Sequence, residues 1–207
     1  MYRIIIVALV AASVKAQLEL EGKCELSTIS AVRDLNATEF SGEWYQIARI
    51  DNAETGVCAT TSFVSVIENN VFVNGTAHTR QVANKTVVWW NATVTPGEQG
   101  VYIFDYSNQV LDTLVLKTDY TSYALLYSCQ QNATHKKVWA WQLGRSNTFN
   151  ETQTTAINSA LELNNDIKNI SWLAVGHSAQ DCDTSGAILI SPILVTLALC
   201  SVLTKLI

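Results

Sequence analysis

Between residues 44 and 143 apolar and polar positions alternate in short segments: 44–50, 58–67, 71–79, 86–95, 100–106, 110–118, 123–129 and 137–143. The segments are rich in Val, Thr, Tyr, Phe and Trp, which fit a pleated, half-buried surface. Asn69-Asn70, Ala83-Asn84, Pro96-Gly97, Ser107-Asn108 and Asp119-Tyr120 punctuate them with turn formers. A period of two predicts strands, and regular close spacing predicts an up-and-down antiparallel sheet. A sheet this large disposes of its edges by closing on itself. The predicted fold class is all-β: an eight-stranded up-and-down antiparallel β-barrel. With about eight strands the interior is just wide enough for side chains or one small ligand.

The period changes after residue 143. Asn150 can cap a helix, Glu151 suits its first turn, and Ala156, Ile157, Ala160, Leu161 and Leu163 form an apolar stripe. One C-terminal helix is therefore expected outside the barrel, followed by a short strand at 169–175. No repeat, low-complexity segment or linker divides the chain.

The two ends fall outside this pattern. Arg3 precedes the apolar run 4–12, and Val14-Lys15-Ala16 offers small residues for cleavage. That layout predicts a secretory signal peptide over 1–16, leaving Gln17 first; the run is far shorter than the ~20 apolar residues of a membrane span. Residues 186–207 are almost wholly apolar and follow the small residues Thr184-Ser185-Gly186-Ala187. Such a tail resembles a GPI-attachment signal, with Ser185 the preferred attachment residue and Asp183 or Thr184 the alternatives. The polar spacer usual in such signals is very short here. A true membrane span is the competing reading, but it ordinarily carries a basic cluster on its inner side, and here only Lys205 is available. The predicted organisation is signal peptide 1–16, one domain 17–185, and a removed tail 186–207.

Charge then narrows the function. The formal net charge of −5 becomes −8 once the three basic residues of the ends, Arg3, Lys15 and Lys205, are removed. An acidic domain without a basic run speaks against nucleic acid and against anionic lipid held by charge. Seven Asn-X-Ser/Thr sequons, at Asn36, Asn74, Asn84, Asn91, Asn132, Asn150 and Asn169, point to a glycosylated ectodomain. Cys200 leaves with the tail. Cys24, Cys58, Cys129 and Cys182 form an even set that reads as two disulfides, with three connectivities open. His78, His135 and His177 are scattered without ligand spacing, so neither a metal nor another cofactor is expected.

Glycans face water, so Asn74 and Asn91 are expected on the outer face of their strands. Alternation then points Val71, Val73, Gly75 and Ala77 inward on one strand and Val88, Trp90 and Ala92 inward on the next. It also leaves Trp89 exposed beside Asn91.

Three motifs now join the strand order. Gly42-Glu43-Trp44-Tyr45 resembles the first lipocalin motif, Thr118-Asp119-Tyr120 the second, and Leu143-Gly144-Arg145-Ser146 the third, centred on its arginine. All three occur in order and at family spacing over residues 20–182. The segments around Trp139–Ser146 and Tyr123–Cys129 are most similar to the apolipoprotein D and Lazarillo branch, which includes insect neuronal surface glycoproteins. The resemblance implies disulfides Cys24–Cys129 and Cys58–Cys182. It also implies that Trp44 lies across the closed end of the barrel with Arg145 packed on its face, a structural plug entered through a tight turn at Gly42.

A plugged barrel leaves an apolar cup with one open mouth. Phe63, Val73, Trp90, Phe104, Leu126, Trp141 and Leu143 are the candidate ligand-binding residues; alternatively, they fill a solid core. The resemblance singles out Trp141 as a pocket tryptophan. A cup so lined suits a small hydrophobic molecule such as a retinoid, fatty acid or pigment. The leading reading is a membrane-tethered carrier acting in neural development or in stress and lipid handling. The rival is a surface recognition or guidance glycoprotein that meets a protein partner through its exterior. Filling the pocket, for example with Gly75→Trp, would separate the two. An enzyme is not expected: all four retained cysteines are used in disulfides, and no Ser/His/Asp or paired-carboxylate arrangement stands out.

Overall fold

The computed structural model describes residues 18–50 and 56–185. The predicted signal peptide, 1–16, and the predicted hydrophobic tail, 186–207, lie outside the described residues.

Alternating segments become strands β2 (Gly42–Ile50), β3 (Val57–Glu68), β4 (Val71–Ala83), β5 (Thr86–Pro96), β6 (Tyr102–Asp105), β7 (Val110–Thr118), β8 (Tyr123–Asn132) and β9 (His135–Gly144). Each pairs antiparallel with the next, and β9 pairs back onto β2, closing the barrel of eight. Two further short strands were not both anticipated. β1 (Glu19–Glu21) adds to β9, and β10 (Trp172–Ala174), shorter than the expected 169–175, adds to β2.

Turns between β3 and β4, β5 and β6, and β7 and β8 gather at one end, beside Gly42 and Arg145. The turns between β4 and β5, β6 and β7, and β8 and β9 gather at the other, the mouth. A one-turn helix α1 (Ala37–Phe40), capped by Asn36 accepting from the Glu39 amide, crosses the Gly42 end. Outside the barrel lies α2 (Glu151–Leu161). Asn150 caps it, accepting from the Gln153 amide while the Gln153 side chain accepts from the Asn150 amide. Ile157, Ala160 and Leu161 pack on the outward residues Leu114, Leu116, Leu125 and Tyr127 of β7 and β8. Leu163, expected on this apolar face, lies past the helix end and is 68% exposed.

Two disulfides join Cys24 to Cys129 and Cys58 to Cys182, the connectivity implied by the family resemblance. Cys58 opens β3 at the mouth and Cys129 lies in the mouth half of β8. The two bonds therefore fasten the N-terminal segment and the chain after β10 to the same half of the barrel.

Strict alternation fails at two places, and both matter for the interior. In β4, Asn74 pairs with Val66 but Phe72 pairs with Ile67, so one extra residue, Val73, is bulged out of register. A bulge reverses the facing of what precedes it. Phe72 therefore turns inward, against Tyr102 at 5.8 Å between ring centroids, and Val71, expected inward, is 61% exposed. In β2, Gln46 pairs with Leu143 and Ala48 with Gln142, leaving Ile47 as the extra residue. Past that bulge Arg49 falls opposite Trp141, and its side chain is carried into the barrel, 4% exposed.

Candidate functional site: a plugged barrel with two interior cavities

The Gly42 end is sealed by one arginine. The Arg145 guanidinium carbon sits 3.7 Å from the centroid of the Trp44 ring, a contact contributing roughly 0.5–2 kcal/mol. Its nitrogens donate to five carbonyl oxygens: Tyr120 at 3.1 Å, Glu43 at 2.9 Å, Glu39 at 3.0 Å, Phe40 at 3.3 Å and Ser41 at 2.8 Å. Trp44 is fully buried, and its Nε1 donates to the Phe40 carbonyl at 2.9 Å. Gly42 has φ +99°, and a Cβ there would lie 3.1 Å from an Arg145 nitrogen, so both conformation and space call for glycine. Burial lowers the Arg145 pKa, and the nearby Asp119 carboxylate opposes that shift.

Thr118, Asp119 and Tyr120 build the turn that faces this arginine. Asp119 Oδ1 accepts from the amides of Thr121 at 3.1 Å, Ser122 at 2.8 Å and Tyr123 at 3.0 Å, and its Oδ2 accepts from the Ser122 hydroxyl. Partial burial alone would raise the Asp119 pKa. The Ser122 hydroxyl and the three amides outweigh it and hold the carboxyl below its ordinary value. Thr118 Oγ1 donates to the Tyr123 carbonyl at 2.8 Å and accepts from the Tyr120 amide at 2.9 Å, fixing Tyr120 at φ +66°.

Two cavities lie inside, separated by the stacked rings of Phe63 and Phe104, 6.2 Å apart, and by Leu126. The first lies toward the plugged end. It is lined by Leu35, Ala37, Phe40, Phe72, Val94, Tyr102, Val115 and others, none of them charged, and has a volume of about 30 Å³. The second lies toward the mouth, has a volume of about 20 Å³, and is lined by Gln46, Thr61, Thr79, Tyr106, Trp141 and Leu143 besides the three shared residues. Its wall is polar. Gln46 Nε2 donates to Thr61 Oγ1 at 3.3 Å, and the Thr61 and Thr79 hydroxyls are 2.8 Å apart. Arg49 donates to Gln46 Oε1 at 3.3 Å and to the Gly56 carbonyl at 2.5 Å. Gly56 itself packs on Gln81, where a Cβ would come within 2.4 Å.

Among the candidate lining residues, Phe63, Phe104 and Leu126 border both cavities, and Trp141 and Leu143 border the second. Val73 and Trp90 border neither; Val73's expected inward facing needs correcting, while Trp90 faces inward as expected. Val73 is the bulged residue, and Phe72 takes its place. Trp90 is on the inner face, but β6 pairs with β5 only from Thr93 to Pro96. The rest of β5 has no partner on that side among the described residues, and Trp90 is 41% exposed at the mouth. Phe72, Leu35, Phe40 and Tyr102 were not anticipated. Residues 18–40 carry no strand period that would have assigned them, and the bulge leaves no local mark. Gly75 also proves a poor position for filling the cavity, because a Cβ there would meet the Val64 carbonyl at 2.3 Å. All seven sequon asparagines are exposed. Among the described residues no group of His, Cys, Asp and Glu is arranged to hold a metal ion.

The fold is a closed eight-stranded barrel, plugged at one end by Arg145 on Trp44. The family comparison makes the class specific: the chain belongs to the Lipocalin / cytosolic fatty-acid binding protein family, whose model matches residues 41–170. The Lazarillo protein of Schistocerca americana is 32% identical over 108 residues, covering 48% of this chain and 50% of that protein. The match thus spans about half the length of that relative. Apolipoprotein D of Cavia porcellus is 28% identical over 159 residues, covering 70% of this chain and 77% of the relative. Both agree with the branch that the motif segments resemble. In fold, insecticyanin from Manduca sexta superposes with a TM-score of 0.65 at 20% identity, covering 82% of this chain and 94% of that one. Lobster apocrustacyanin A1 gives 0.61 at 19% identity, covering 78% and 92%.

Proposed function

We propose that this protein is an extracellular carrier of small hydrophobic ligands, of the retinoid, fatty-acid or pigment class, held on the outer face of the plasma membrane by a GPI lipid at Ser185. The observation that carries the reading is the uncharged cavity behind Phe63 and Phe104. Its apolar wall favours a ligand that leaves water. The disulfides fit an extracellular protein, and the exposure of the seven sequons agrees with glycosylation. The lipid anchor rests on the composition of the tail. The role in neural development or in stress and lipid handling rests on the resemblance to the Lazarillo branch.

Titration of the secreted domain with retinoic acid or a long-chain fatty acid tests the carrier. Saturable quenching of tryptophan fluorescence in the micromolar range is expected. It should weaken at least tenfold in Val94→Phe, which fills the cavity from its wall. Absence of saturable quenching with every such ligand overturns the reading. Phospholipase C treatment of intact cells tests the anchor: release is expected, and retention by the membrane rules the lipid out.

A further inference from the structure

Two of the seven sequons carry an aromatic residue two positions before the asparagine: Phe72-Val73-Asn74-Gly75-Thr76 and Trp89-Trp90-Asn91-Ala92-Thr93. Their sequence patterns match, but their geometries do not. In β4 the bulge at Val73 separates Phe72 from Asn74: Phe72 turns into the barrel while Asn74 stays exposed outside. In β5 the register is unbroken from Thr86 to Val94. Asn91 faces His78, and Trp89 faces Arg80. Trp89 and Asn91 therefore share the outer face as i and i+2 neighbours, about 7 Å apart along the strand. Trp89 is 58% exposed, the largest uncovered side chain on that face. Its indole face is open to whatever the neighbouring Asn91 carries.

The Asn91 side chain is already oriented. Its Oδ1 lies 2.8 Å from His78 Nδ1. Among the described residues its Nδ2, the atom that takes the sugar, makes no hydrogen bond. We infer that the N-glycan on Asn91 folds its first N-acetylglucosamine onto the face of Trp89, so that the sugar is the cover for this tryptophan. Attachment forms the Nδ2–C1 bond as the C1–O bond to a lipid diphosphate donor breaks; the diphosphate leaves with the electron pair and one amide proton is lost. A pyranose presents a face of C–H bonds polarised by ring and hydroxyl oxygens. An indole face is electron-rich and attracts that positive edge. The glycan on Asn74, with its aromatic turned away, has no such platform. The inference rests on the extracellular reading, since sequons are used only by chains that enter the secretory route.

The test uses the full chain expressed in insect cells and a cycle of four proteins: wild type, Thr93→Ala, Trp89→Ala and the double variant. Thr93→Ala abolishes the sequon but leaves the Asn91–His78 contact in place. It is expected to lower Tm by about 2–4 °C when Trp89 is present and by less than about 1 °C in the Trp89→Ala background. Acrylamide should reach one more tryptophan in Thr93→Ala than in wild type. Asn74→Gln should have the same effect in both Trp89 backgrounds. Equal Tm losses in the two backgrounds, or an Asn91 without sugar while other sequons are occupied, overturn the platform alone. A chain without sugar at any of the seven sites overturns the extracellular reading with it.

Discussion

The two ends of the barrel are held together by different chemistry. At the mouth the ties are covalent: Cys58–Cys182 and Cys24–Cys129 fasten both terminal segments there. At the plugged end no covalent bond crosses among the described residues. One arginine gathers five carbonyls from α1, from the entry to β2 and from the β7–β8 turn. The interiors differ in the opposite sense. The half behind the plug is uncharged, while the half behind the mouth carries Gln46, Thr61, Thr79, Arg49 and Gln81. The apolar cup expected at the open mouth therefore extends instead to the closed end, where Leu35 and Phe40 from the N-terminal segment complete its wall.

Breaking the mouth should have the largest effect. Cys58 and Cys182 are 124 residues apart, and a loop that long contributes about 4–5 kcal/mol in the chain-entropy model. The double variant Cys58→Ala, Cys182→Ala is expected to lose most of that in urea denaturation. β10 should then show the earliest loss of amide protection by hydrogen exchange, since its pairing with β2 loses its nearest covalent tether. An unchanged unfolding midpoint would mean that the mouth is held by packing instead.

Breaking the plug should cost somewhat less. Arg145→Ala removes a stacked cation and its hydrogen bonds, but the freed carbonyls can partly rehydrate, so about 2–4 kcal/mol is expected. Arg145→Lys should recover only a minor share, because a single ammonium cannot span carbonyls on three segments. Ligand selectivity should survive in both, since Arg145 borders neither cavity. A changed ligand preference at undiminished stability would show that the plug takes part in binding.

The contrast between the ends explains what was legible in the sequence. Alternation over 44–143 gave the strands and their closure because period-two burial is a local property. The plug was legible only through the resemblance of Gly42, Trp44 and Arg145 to family motifs. No local rule brings Arg145 back to the start of β2. The composition of the two interior halves was not legible. It depends on bulges at Ile47 and Val73, which arise where neighbouring strands must twist to close. A single shifted residue carries Arg49 into the barrel and exchanges Val73 for Phe72, and nothing within either strand announces the shift. Trp90, inward by register as expected, stays exposed at the mouth for a related reason: β6 is four residues long, so the wall that would have covered it stops short.

The smallest effect concerns protons, and it too separates the ends. Asp119 at the plug and Asp181 near the mouth both titrate below the ordinary carboxylate value, and in both hydrogen bonds from serine and backbone amides are the cause. The Asp119 bonds fix the turn that Arg145 grips. Asp181 lies on the chain leading to Cys182, and its bonds close only the local Ser178 turn. A carboxyl whose folded pKa lies below its unfolded value of about 4 stabilises the fold fully above that pH. The contribution fades as pH falls toward the folded value. Solvent screening keeps it small. Thermal melts of wild type and Asp119→Asn should therefore differ at neutral pH and converge below about pH 4, whereas Asp181→Asn should track wild type throughout. If Asp181→Asn showed the larger pH-dependent gap, the acid-sensitive fastening would belong to the mouth, and the plug would owe its hold to the arginine stack and carbonyl bonds alone.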